Sequence, residues 1–160
     1  MALSIYISLT IVMLHFGYFI RKPLNFLGNS LIFMLIAIIT RQCLTVMAME
    51  LKFFKLTEDY WLFICLLLCR DILTPMVVVI FSNFYLRSRT VTQKIITFFL
   101  SIAALLGLHY LAVQFGIITY VKWNFGYTLL LNAAFLLAAL GIVKLISFIK
   151  TWENRQNESI

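Results

Sequence analysis

The sequence predicts an all-α fold, an integral membrane bundle of about five transmembrane helices with little chain outside the bilayer. Three observations predict it. Hydrophobic residues make up 63% of the 160 residues and charged residues only 12%, about half the share in a soluble domain. Mean hydropathy is +1.01, so too little polar surface remains to cover a globule in water. Apolar runs of about 20 residues, the length that crosses a hydrocarbon core, recur along the chain.

The first run covers 3–20 and is followed by Arg21 and Lys22. A secretory signal carries its basic residues before the apolar stretch, so this order predicts a retained helix. Pro23, Asn25, Gly28 and Asn29 mark a turn. The second run is 31–51, interrupted by Arg41, and 52–59 reads as a short polar loop. The third, 60–86, holds Arg70, Asp71 and Pro75. A basic loop with Arg87, Arg89 and Lys94 leads to a fourth run, 95–121, and a fifth, 125–149. Residues 1–150 read as one transmembrane domain and 151–160 as a polar, frayed cytoplasmic tail. Tyr60, Trp61, Phe84, Tyr85, Tyr120, Trp123 and Tyr127 stand at the expected interfaces, where amphipathic rings settle.

Charge sets the expected orientation. Arg21, Lys22, Arg87, Arg89, Lys94, Lys150 and Arg155 fall on one side and Lys52, Lys55 and Lys122 on the other. The richer side is expected in the cytoplasm, N-terminus out and C-terminus in. The net charge of +7 then serves topology and anionic headgroups, and nucleic acid is not an expected partner. Membrane lipids are, together with a partner membrane protein or a second copy of the chain. Ala103 with Gly107 and Ala134 with Ala138 have the spacing that lets helices approach closely, and the expectation is seams inside the bundle.

Arg41, Arg70 and Asp71 carry the chemistry. Each is expected near the bilayer midplane, where a charge costs about 2.5–3.5 kcal/mol on insertion scales and needs a partner. Adjacent residues on an α-helix point about 100° apart, so Arg70 is not expected to face Asp71. The second and third helices are expected to be antiparallel neighbours, which predicts an Arg41–Asp71 ion pair. Arg70 is then left with His109 and Asn132, which offer acceptors but no formal charge. The cluster sums to one positive charge, completed by an anionic ligand, a lipid phosphate or a partner carboxylate. Pro75 cannot donate to the carbonyl of Asp71 and is expected to act as a hinge beside the cluster.

Other chemistry is disfavoured. His15 and His109 fall at different depths, which argues against a shared haem, and no metal spacing such as HExxH or CxxC occurs. Cys43, Cys65 and Cys69 lie in apolar runs and read as inert buried thiols. One intramembrane aspartate cannot form an aspartyl dyad, and no G-x-S-x-G elbow is present. No catalytic residues and no cofactor are expected.

The stretch LAVQFGIITYVKWNFGYTLLL, Leu111–Leu131, with its Tyr120-x-x-Trp123 turn, and FSNFYLRSRTVTQK, Phe81–Lys94, resemble uncharacterised small multi-spanning membrane proteins of endospore-forming Gram-positive bacteria. The resemblance covers the C-terminal half. It implies an all-helical bacterial cell-membrane protein and no particular activity, and the Arg70–Asp71 pair departs from its pattern. The expected function is a non-enzymatic accessory or scaffold binding a lipid, anion or partner helix at the cluster. A small transporter or channel with Asp71 as its titrating group is the alternative, followed by a membrane-bound enzyme or a lysis protein.

Overall fold

The computed structural model describes residues 1–20 and 23–157, with side chains up to residue 149. Arg21 and Lys22, the side chains of Lys150 and Arg155, and residues 158–160 of the tail lie outside that description. Among the described residues, five helical segments are long and apolar enough to cross a membrane.

Helix α1 spans Ala2–Phe19. Helix α2 spans Phe26–Thr45 and runs on into a π-helical turn, Val46–Glu50. A short strand, β1, Phe54–Leu56, follows. The third crossing is composite: α3, Tyr60–Leu67, a second π-helical turn, Leu68–Leu73, and α4, Thr74–Arg87. Helix α5 spans Val91–Gln114, strand β2 spans Ile118–Tyr120, and α6 spans Phe125–Asn157.

Local sequence explains the ends. Asp59 caps α3, accepting from the backbone N–H groups of Trp61 at 2.8 Å and Leu62 at 3.4 Å. Its carboxylate thereby takes up donors that a helix start leaves unpaired. Thr90 caps α5 by accepting from the N–H of Gln93 at 3.3 Å, and the Gln93 side chain accepts from the N–H of Arg89 at 3.2 Å. This is a variant of the capping box, and it starts the helix four residues before the apolar run does. Gly116, at φ +68°, turns the chain out of α5, so the fourth crossing ends well before residue 121. A side chain would be strained in that conformation.

The composite third crossing is the axis of the bundle. It packs against α1, α2, α5 and α6. Within its most apolar stretch 56% of residues are buried, against 17–28% in the other four. Their outward residues are therefore free to meet lipid. Helix α1 leans chiefly on the axis, and at Gly17 a Cβ would lie 2.5 Å from Met76 Cε. Helices α2 and α4 are joined by a buried hydrogen bond, Asn83 Nδ2 to Asn29 Oδ1, at 2.6 Å. Such bonds between helices hold a bundle together where lipid supplies little hydrophobic drive.

One end of the bundle carries an antiparallel two-stranded sheet that the hydropathy pattern does not reveal. Phe54 pairs with Tyr120, Lys55 with Thr119 and Leu56 with Ile118. The expected polar loop 52–59 and the end of the expected fourth helix are thus one structure. Thr128 on α6 fixes it. Its hydroxyl accepts from Trp123 Nε1 at 2.9 Å and lies 3.1 Å from the Tyr120 hydroxyl. The opposite end carries Arg87, Arg89 and Lys94.

Two expectations change. Ala103, Gly107 and Ala134 are exposed, and nothing lies within 4 Å of where a Gly107 Cβ would be. These small residues do not form seams within the bundle; the residues that α5 and α6 bury in the core include Leu105, Leu108 and Leu136. Residues 151–157, expected to be frayed, continue α6 as helix to Asn157.

Candidate functional site

The second π-helical turn builds the site. Proline at position 75 has no N–H for the carbonyl four residues back, and its ring crowds that carbonyl. The chain relieves this by widening the turn. The N–H of Thr74 reaches back five residues to the carbonyl of Cys69, and the Thr74 hydroxyl donates to the same oxygen at 2.9 Å. Turns of this kind are inserted into α-helices frequently at functional positions. Pro75 itself is buried at the start of α4.

Widening the turn changes the pairing. Arg70 Nε donates to Asp71 Oδ1 at 2.7 Å, and a terminal guanidinium nitrogen donates to Oδ2 at 3.0 Å. The expected Arg41–Asp71 pair is not formed; Asp71 is held by its own neighbour. A wider turn brings consecutive side chains closer in angle than an α-helix does, and the long Arg70 side chain folds onto the carboxylate. The pair is bidentate, the strongest geometry open to these groups. The Arg70 side chain is 10% exposed and that of Asp71 31%.

Arg70 also faces a small cavity between α2, the π-helical turn, α5 and α6. The cavity is shared by Thr40, Cys43, Cys69 and His109 and closed at the sheet end by Phe54, Tyr120 and Trp123. Its volume is about 40 Å³. A water needs roughly 10–15 Å³ of such space and a benzene-sized ligand about 150 Å³. The interior therefore takes a few waters and no organic ligand. Behind His109 lies Asn132, fully buried, with which the imidazole interacts. Neither amide atom of Asn132 completes a hydrogen bond of standard geometry among the described residues. Thus Arg70, Asp71, His109 and Asn132 are all interior to the bundle or at its seams.

Arg41 is separate. It is exposed on the outer face of α2, beside exposed Gln42. It continues a stripe of Leu27, Leu31, Met34, Leu35 and Ile38, all exposed at helical spacing. Its guanidinium has no acceptor among the described residues. It lies nine residues before Glu50, the last residue of the π-helical turn, about 13 Å below that end at 1.5 Å per residue. Its side chain leans toward the helix N-terminus, further into the apolar zone. Of the five crossings, α2 is the least buried. Sequence periodicity carries this signal: positions 27, 31, 34, 38 and 41 fall on one helical face, and that face is apolar except for Arg41.

Fold and site together define a small multi-pass integral membrane protein with a buried Arg–Asp ion pair on its central helix. No protein-family model, no curated protein and no solved structure matches the chain.

Proposed function

We propose that this chain is a non-enzymatic accessory protein of the membrane. It docks a transmembrane helix of another protein against the outer face of α2, with a carboxylate of that helix at Arg41. The exposed, unpartnered Arg41 carries the reading. A cation facing hydrocarbon costs about 2.5–3.5 kcal/mol. A spanning helix with one acid at matching depth offsets that cost, and Gln42 supplies a second hydrogen-bonding group beside it.

Two further observations favour this reading. The 40 Å³ interior cavity is too small for an organic ligand, which moves recognition to the surface. Asp71, the one acid away from the ends of the crossings, already has both oxygens engaged by Arg70. A second copy would have to disrupt that pair to satisfy Arg41, so the partner is a different protein. The same engagement suits Asp71 to locking the axis rather than to carrying protons as a transporter. In this reading the basic end of the bundle faces the cytoplasm and the sheet end faces out.

The test is affinity purification from native membranes in mild detergent, comparing wild type with Arg41→Leu and Arg41→Glu. The reading expects a protein that is retained by wild type and lost from both variants. It also expects Arg41→Glu to regain that protein when an acid in its spanning helix is replaced by Lys. A captured protein that ignores Arg41, or a variant pair that shows no rescue, overturns the reading.

A further inference from the structure

A groove of about 420 Å³ runs along the bundle between α1, α4 and α5. Its walls include Val12 and Phe16 on α1, Ile80 and Phe84 on α4, and Ile96 and Ala104 on α5. The two polar residues in the wall do not make it polar. The Thr97 hydroxyl donates to the carbonyl of Gln93 at 2.8 Å and that of Ser101 to the carbonyl of Thr97 at 2.9 Å. The groove therefore offers a lining of methyl, methylene and ring surface.

Its position and length match one leaflet. From Ile96 to Ala104 is about 12 Å of helix, close to the roughly 15 Å depth of half a hydrocarbon core. The end at Phe84 and Ile96 lies toward the α4–α5 connection, where Arg87 ends α4, Arg89 sits in the loop and Lys94 lies in the first turn of α5. Arg87 and Arg89 are exposed, Lys94 is half-buried over the Tyr85 ring at 5.3 Å, and none of the three has a carboxylate partner among the described residues. The sequence has no acid between Asp71 and Glu153 to offset these charges.

We infer that this groove seats one acyl chain of an anionic phospholipid from the leaflet bordering the basic loop, with its phosphate held by Arg87, Arg89 and Lys94. The occupant follows from the two ends of the site. An apolar slot one leaflet deep fits a chain, and three cations without carboxylate partners at that end of the bundle select a headgroup with net negative charge. A zwitterionic phospholipid fits the slot but leaves the cations uncompensated.

Native mass spectrometry of the purified chain, titrated with phosphatidylglycerol or phosphatidylcholine of identical chains, tests this. Wild type is expected to bind the first phosphatidylglycerol roughly tenfold or more tightly than phosphatidylcholine, in keeping with three nearby cations. Replacing all three, R87Q/R89Q/K94Q, should remove the preference. Ala104→Phe, which fills the slot, should weaken the first adduct of both lipids. A second measurement needs no variant: soluble glycerophosphoglycerol, a headgroup without chains, should fail to displace phosphatidylglycerol from wild type. Equal binding of the two lipids, displacement by the chainless headgroup, or a folded Ala104→Phe protein with an unchanged first adduct would each overturn the inference.

Discussion

Asp71→Asn is the most informative single change in the interior. It replaces a carboxylate held by Arg70 at 2.7 and 3.0 Å with a neutral amide. One oxygen remains to accept one bond, and an NH₂ group turns toward the guanidinium. Hydrogen bonds to charged groups contribute about 1.5–3 kcal/mol each, and removing one partner of a buried pair costs about 3–5 kcal/mol because the other charge is left uncompensated. The Arg70 side chain is only 10% exposed, so it cannot escape to water. With one bond retained, the expected loss is about 2–4 kcal/mol. The double variant Arg70→Met/Asp71→Leu removes both charges and should recover most of that loss, because apolar side chains of similar volume commonly replace a buried pair without penalty. Reversible unfolding by SDS titration in mixed micelles, followed by circular dichroism, measures both. If Asp71→Asn costs under about 1 kcal/mol, or the double variant is less stable than the single one, the pair is not the lock described here.

Two further outcomes follow from the sheet and the orientation. Thr128→Val keeps the shape of the side chain but removes the hydroxyl that meets Trp123 and Tyr120; it should cost about 1–2 kcal/mol, with a red shift of tryptophan emission, and unchanged stability and emission would refute the anchoring role. In a background with Cys43, Cys65 and Cys69 replaced, Ser88→Cys should be labelled by an impermeant maleimide in inverted vesicles and protected in intact cells; labelling in intact cells reverses the orientation.

Much of the fold is legible in the sequence because lipid imposes a simple rule. A segment that cannot hydrogen-bond to solvent must satisfy its own backbone, so runs such as 3–20 and 125–149 read directly as helices. The sheet is hidden because its strands are three residues long and sit where hydropathy is changing. In that region Ile117 and Ile118 read as the end of a helix, although Gly116 has already turned the chain. Asp59 reads as the last residue of the polar loop 52–59, yet its place before Tyr60 is that of a helix cap. The site is legible as a set of residues and not as a set of partners. Matching depths suggest Arg41 for Asp71, but Pro75 widens the turn beneath the pair and gives Asp71 to Arg70. Arg41, displaced from the expected pair, becomes the exposed charge on which the functional reading rests. The small-residue spacing on α5 and α6 misleads because it fixes which residues share a face, not which way that face points.

The central claim, that the outer face of α2 meets a partner helix through Arg41, is tested most directly by photocrosslinking in native membranes. A photoreactive amino acid at Ile38, exposed one turn from Arg41, is compared with one at Ile36, which is fully buried. The account predicts a covalent adduct at position 38 with a spanning segment of another protein, absent at position 36 and lost when Arg41→Leu is added. Lipid adducts alone at position 38, or a protein adduct indifferent to Arg41→Leu, would contradict it.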